Sequence, residues 1–433
     1  MPGSLVGVDP TAYVMTARPT DDTRPTFLAS DRRLARAVQP MVRFLQIEAA
    51  SGIILLVATA VALVWANSRW QGGYESFWAT PVHIELGSYV FEEHLAEVVN
   101  DALMALFFFV AGMEIKRELV VGELRDRRAV ALPALAALGG MLVPALVYAA
   151  FNAGGPGAAG WGIPMATDIA FAMGVAALLG GRVPSPVKVL LLTLAIVDDI
   201  GAIAVIAVFY TDDLRPRMLL VAAAIAALVW AMYRVNVTLA VLYVIAGGAL
   251  WLAVYESGVH ATIAGVVLGL LTPARPPQNE FEPTGVSSCD HLIDIFHPWT
   301  SYVVLPIFAL ANAGIPLSMD ALRDPSDVLL GVSVGLVVGK LVGVVAFSWI
   351  AVRFGLARLP AATRWHHIVG LGAMAGIGFT VSLFIAGLAF EPGALRDDAK
   401  MGVLVASAVA AVLATVAFTA ISRRPATADP DAP

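Results

Sequence analysis

Asp198 and Asp199 stand side by side in the middle of an apolar run, LLLTLAIVDDIGAIAVI, from Leu190 to Ile206. Near the centre of a membrane helix two carboxylates cost roughly 5–7 kcal/mol, at about 2.5–3.5 each. Fourteen Val, Leu, Ile or Phe residues between Val187 and Phe209 return roughly 4–8 kcal/mol, at about 0.3–0.6 each. Such a segment inserts, but the acids consume its margin. Ionisable groups inside a membrane pair with one another, bind ions or relay protons. A chain that keeps this pair must therefore build a bundle that supplies them with partners.

The rest of the chain has the composition for one. It is 59% hydrophobic and 14% charged over 433 residues, with a mean hydropathy of +0.80, against about a quarter charged in soluble domains. An integral membrane protein follows. The net charge of -6, with basic residues in short clusters rather than a stripe, excludes nucleic acid as a partner. The single cysteine, Cys289, excludes an intrachain disulfide, and no Cys/His cluster suggests a resident metal or other cofactor. Residues 1–40 hold no apolar core of a signal peptide and read as a disordered cytoplasmic tail, as does 423–433, leaving 41–422 as the transmembrane domain.

Windows of about 19 residues place spans at 45–67, 101–119, 130–151, 161–179, 187–210, 218–233, 237–255, 259–271, 299–317, 329–352, 367–390 and 401–421, about twelve in all. Basic clusters before the first span, after the second, fourth and tenth, and after the last all fall on one face. The positive-inside rule makes that face cytoplasmic and puts both termini there. Between the first two spans, Pro81 to Phe91 reads PVHIELGSYVF; its alternation about a Gly-Ser turn is a hairpin signal, and a solvated loop with chance alternation is the other reading.

Two spans are interrupted. WGIPMATD carries Pro164 and Asp168, and Gly370 to Gly378 holds four glycines, Gly376 and Gly378 among them, just before Thr380. Proline removes a helix donor and glycine loosens the backbone. Paired interruptions in two halves of a transporter point to a site at the bilayer midplane, whereas glycines alone can also serve close helix packing.

The intramembrane ionisable set is Asp101, Glu114, Asp168, Asp198, Asp199, His260 and Lys340. Neighbours on a helix point about 100° apart, so Asp198 and Asp199 cannot both face one ligand. Lys340, taken as the only internal base, needs a carboxylate, which pairs it with Asp198. Asp199, Asp168 and the Thr167 hydroxyl are left for a small hard cation, which prefers oxygen ligands. Neighbouring buried carboxylates titrate as a coupled pair, so one site holds a cation or protons in competition. With alternating access, that competition is exchange.

NDALMALFFFVAGMEIKREL (100–119), WGIPMATDIAFAMG (161–174), LAIVDDIGAIAVIAVFY (194–210), SGVHATIAGVV (257–267), HPWTSYVVLPIFALANAG (297–314) and GIGFTVSLFIAGLAF (376–390) resemble the NhaA-type sodium/proton antiporter family. The resemblance runs from about Phe44 to Ile421. It implies an all-α membrane protein of twelve helices with inverted-topology repeats, an architecture already described for that family. Two discontinuous helices would cross near Thr167-Asp168 and Gly376-Thr380, and Asp168 and Asp199 would carry the cation and protons beside an Asp198–Lys340 salt bridge. It implies electrogenic export of Na+ or Li+ against H+ across a bacterial cytoplasmic membrane, and homodimers joined through an external β-hairpin at Pro81 to Phe91. Glu114, Arg117, Glu118, His260 and His297 match pH-responsive positions of the family. Ile293-Asp294 stands where well-known members carry Glu-His, which bears on the pH profile.

Other classes fit less well. Intramembrane aspartyl proteases present Tyr-Asp and Gly-x-Gly-Asp, absent here at Asp168 and Asp198. A passive cation channel needs a filter of carbonyls or a ring of charges, and Lys340 opposes free cation flow. A proton-coupled carrier of an organic substrate would want more than Phe171, Phe379 and Phe384 near the breaks.

Overall fold

The computed structural model describes residues 50–86, 89–125, 127–211, 214–235, 237, 239–274, 287–317, 323–360 and 363–422. The expected tails at 1–40 and 423–433, the start of the first span and the Gly87-Ser88 turn lie outside them.

Helix α1 (Ala50–Ala66) bends by 114° into α2 (Gln71–Trp78). Strand β1 (Pro81–Leu86) then pairs antiparallel with β2 (Tyr89–His94), Pro81 opposite His94 and Leu86 opposite Tyr89. The Tyr255 hydroxyl donates to Glu93 of β2. The helices that follow are α3 (Leu95–Val120), α4 (Arg127–Asn152), a tight 3-10 helix (Ala158–Met165) leading to α5 (Ile169–Leu178), α6 (Ser185–Phe209) and α7 (Pro216–Arg234). After them come α8 (Ala240–Glu256), α9 (Thr262–Leu271), α10 (Ser288–Asn312), α11 (Asp327–Arg353), α12 (Trp365–Ala375), α13 (Phe379–Ala389) and α14 (Ala394–Ser422).

Local chemistry sets several starts. Ser287 and Ser326 accept from the amides of Asp290 and Leu329 and so cap α10 and α11. Prolines occupy the first turn of α6 and α7, where a missing N–H costs nothing.

Eight helical stretches among the described residues are long and apolar enough to cross a membrane, and the bent pairs α1/α2 and α12/α13 raise that to ten. The protein is a multi-pass membrane protein. Helices α8 and α9 are shorter apolar helices. The most extensive helix pairings are α4 against α11 and α3 against α9. In the first pair, Gly139 and Gly343 bring the two backbones together, and a Cβ on Gly139 would lie 2.5 Å from Phe347 Cγ.

Three helices tighten and loosen in register. Single π-helical turns interrupt α3 at Val99–Leu103, α10 at Thr300–Val304 and α11 at Gly335–Gly339, directly before Lys340. Such turns are frequent at functional sites. The break between α12 and α13 lies against the one in α11, because a Cβ on Gly376 would stand 2.6 Å from the Leu336 carbonyl oxygen. Only glycine admits that approach.

Candidate functional site

Thr167 and Asp168 occupy an extended link between the 3-10 helix and α5. Opposite them, α12 ends at Ala375 and α13 begins at Phe379, with a 45° bend between. The two breaks are tied together by hydrogen bonds. The Asp168 amide donates to the Ile377 carbonyl at 2.7 Å. Asp168 Oδ2 accepts from the Thr380 amide at 2.9 Å and from the Thr380 hydroxyl. Its Oδ1 accepts from Phe171 N at 2.9 Å, capping α5. Ser382 Oγ donates to the Ile163 carbonyl at 2.8 Å, and Ser407 Oγ on α14 accepts from Phe379 N at 3.2 Å.

The broken ends provide charge compensation as well as geometry. Helices α5 and α13 both start at this point, so the positive ends of two helix dipoles converge on the Asp168 carboxylate. The carbonyls of Ala375, the last residue of α12, and of Ile377, in the break that follows, accept from the adjacent Thr167 and Asp168.

Asp198 and Asp199 project from the middle of α6, which packs on α4. Lys340 Nζ lies on Asp198 Oδ2, with no exposure of either side chain. Lys340 also donates to Thr167 Oγ1 at 2.9 Å. Thr167 Oγ1 is 2.6 Å from Asp198 Oδ2 and 3.0 Å from the Ala375 carbonyl oxygen; its one proton serves one of them at a time. Thr167, grouped with Asp168 and Asp199 on sequence grounds, therefore belongs to the Asp198–Lys340 pair. The reason is reach: its hydroxyl lies on the α6–α11 side of the link, while the Asp168 carboxylate turns towards α13.

Asp199, one residue from Asp198 and also buried, makes no hydrogen bond or ion pair among the described residues. Asp198, Glu114 and Asp168 are the acids whose charge bears on it, and Lys340 is the base. The structure thus holds one carboxylate that is fully engaged by helix ends, one that is paired with an ammonium, and one that has no hydrogen-bond or ion-pair partner among the described residues.

The remaining candidates fall elsewhere. Pro164 lies in the 3-10 helix and packs towards Gly335 of the α11 π-turn. His297 Nε2 and Glu114 Oε1 are 3.8 Å apart, joining α10 to α3. Arg117 and Glu118 approach to 3.9 Å on α3. His260 stands in the turn before α9. Gly370 and Gly372 do not break the helix: they lie inside α12, where they admit Phe418 and Leu341.

One expectation is corrected. Lys340 is not the only internal base, because Lys400 on α14 is 8% exposed. Its Nζ donates to Asn312 Oδ1 at 3.3 Å, and Asn312 Nδ2 donates to Asn100 Oδ1 at 2.7 Å. A lysine so close to the start of its apolar run reads as a boundary charge, and only packing buries it. Ser382 and Ser407 were also not expected, since a lone hydroxyl in an apolar helix has no sequence signature. A cavity of about 790 Å³ lies apart from the carboxylates, lined by Pro133, Pro186, Thr193 and Arg358 among others.

Residues 42–418 match the profile of the family described as Na+/H+ antiporter 1. The chain is 47% identical to the Na(+)/H(+) antiporter NhaA of Rhodopirellula baltica over 411 residues, covering 87% of this chain and 93% of that protein. It is 47% identical to Na(+)/H(+) antiporter NhaA 2 of Myxococcus xanthus over 422 residues, 89% of this chain and 90% of the other. With Na(+)/H(+) antiporter NhaA 1 of Klebsiella pneumoniae it shares 46% over 382 residues, 87% and 95% of the two chains.

Proposed function

This chain belongs to the Na+/H+ antiporter 1 family and exchanges Na+ and H+ across a membrane, and we propose that it does so at Asp168 and Asp199. One observation carries the site: of two adjacent buried acids, Asp198 is bound by Lys340, and Asp199 has no hydrogen-bond or ion-pair partner among the described residues. A carboxylate kept in a membrane without a protein partner is stabilised by what it exchanges, a cation or a proton.

Asp199 provides the open ligand, and Asp168 adds a second carboxylate at the crossing of the broken helices. Na+ and Li+ are hard cations served by such oxygens. Protons occupy the same oxygens, so loading one substrate expels the other, and alternate opening to the two sides turns this competition into antiport. Lys340 and Asp198, together an electrically neutral pair, hold α11 to α6 beside the site.

Two carboxylates facing one monovalent cation leave room for more protons than Na+ per cycle, which makes the exchange electrogenic and lets a proton gradient drive Na+ or Li+ out of a bacterial cell. The eight long helices, with α1, the broken pair, α8 and α9, support a twelve-span inverted-repeat bundle in the cytoplasmic membrane, and the basic clusters put both termini inside. The Glu114–His297 contact supports a pH response. The β1–β2 ladder supports an external hairpin joining a homodimer; deleting it should dissociate the dimer in native mass spectrometry, and an unchanged dimer would remove this part.

The site is tested in proteoliposomes with a pH-reporting dye. Adding Na+ or Li+ should move protons in wild type and leave them in place in a folded Asp199→Asn. Normal proton movement in that variant would refute the assignment.

A further inference from the structure

The amide of Arg364, just before α12, donates to Nδ1 of His367 at 3.0 Å. At this third helical position Glu or Gln ordinarily reaches back to the capping residue's N–H; here a ring nitrogen does so. Accepting requires a lone pair on Nδ1, hence a neutral imidazole with its proton on Nε2. The ring is largely buried and lies parallel to Phe418 of α14, centroids 6.4 Å apart and planes within 9°. Gly370, one turn on, meets the same Phe418, and a Cβ there would stand 2.5 Å from its Cε2. One aromatic ring thus seats two successive turns of α12. About 12 Å further along the helix ends in the Ala375 carbonyl facing Thr167, and the break that follows turns the Ile377 carbonyl to Asp168.

We propose that His367 is a positioning residue for the exchange: neutral, it latches the first turn of α12 and so fixes the break beside Asp168, and protonated, it releases that turn and slows transport in acid. A proton on Nδ1 would point at the Arg364 N–H and cancel the hydrogen bond outright. The surroundings add to the opposition. Arg364 and His366 bear on the ring, His366 with its centroid 4.3 Å away. Of the helices packed on α12, α11 carries Arg353 at its adjoining end and α6 carries Lys188 in its first turn. Helix α5 has no charged residue, and α14 presents Phe418. Among the described residues, the charged groups named here are all basic, and the start of the helix dipole is positive as well.

The inference rests on the antiport reading, and the experiment separates the two. Na+-driven proton movement is measured from acid to alkaline pH for wild type, His367→Gln, His367→Ala and His366→Gln. Glutamine keeps an acceptor at the same place without titrating, so H367Q should match wild type at alkaline pH and extend exchange about half a pH unit or more into the acid range. H367A should be slower at every pH, and H366Q should keep the wild-type profile. An H367Q acid limb superimposed on wild type, or a shift produced by H366Q instead, overturns the proposal. Amide exchange read by mass spectrometry supplies a measure independent of transport. Protection of the first turn of α12 should fall on acidification in wild type and persist in H367Q, and equal protection in both overturns the latch. A wild type that moves no protons with Na+ at any pH would refute the antiport reading, while the amide measurement still judges His367.

Discussion

Lys340 and Asp198 meet inside the bundle with no exposed surface on either side chain, while Asp199, the residue after Asp198, has no hydrogen-bond or ion-pair partner among the described residues. Adjacent positions on one helix turn the two acids about 100° apart, and that angle separates a structural carboxylate from an available one.

Lys340→Met should therefore destabilise the protein by about 3–5 kcal/mol, the cost of leaving one member of a buried pair uncompensated. Adding Asp198→Leu should recover most of the loss, because replacing both partners by apolar groups is often neutral. Denaturant unfolding of the purified protein in detergent measures both; a double variant as unstable as the single one would contradict the pairing.

Gly343→Val tests the contact of α4 with α11. Any Cβ on Gly343 meets the backbone of Gly139, so the cost should reach or exceed the roughly 1–3 kcal/mol of ordinary overpacking. Lys340 is one turn away, and exchange should fall with stability. A fully active Gly343→Val would show that the two helices separate freely.

Ser407→Ala removes the acceptor of the buried Phe379 N–H that opens α13. The expected loss is about 1–3 kcal/mol, read as a lower unfolding midpoint, and a cysteine, similar in size but a weak acceptor, should restore little of it.

Glu93→Gln addresses pH. Burial, and then Glu97 beside it, push the Glu93 carboxyl above the usual carboxylate value. The folded state therefore holds this proton more firmly than the unfolded chain does. Its contribution is greatest below the ordinary glutamate range and is lost as pH rises through the folded value. Glutamine cannot titrate, yet still accepts from Tyr255. The variant should gain stability relative to wild type at neutral pH and lose that advantage near pH 4; parallel melting curves across the range would contradict the shift.

Much of this site is legible in the residues because the membrane makes charge scarce. With few acids and bases inside apolar runs, Lys340 has few choices, and Pro164 and Gly376 mark places where a helix cannot continue undisturbed. The sequence is silent where the answer depends on which side of a backbone a short group faces. Thr167 shows this: its neighbour Asp168 turns to α13, but its own hydroxyl turns to Asp198 and Lys340. Lys400 is concealed differently, by standing near the start of its apolar run, and the π-turns of α3, α10 and α11 leave no mark in hydrophobic periodicity.

Asp168 fastens the first amides of two different helices, Phe171 of α5 through one oxygen and Thr380 of α13 through the other. An ion arriving at that carboxylate meets a knot already tied. To bind there it must loosen a helix end, and a loosened end is free to move. On the proposed assignment of Asp168 to the cation, cargo recognition and the motion that carries cargo across share a single set of hydrogen bonds, and no separate relay is required to tell the helices that the site is full.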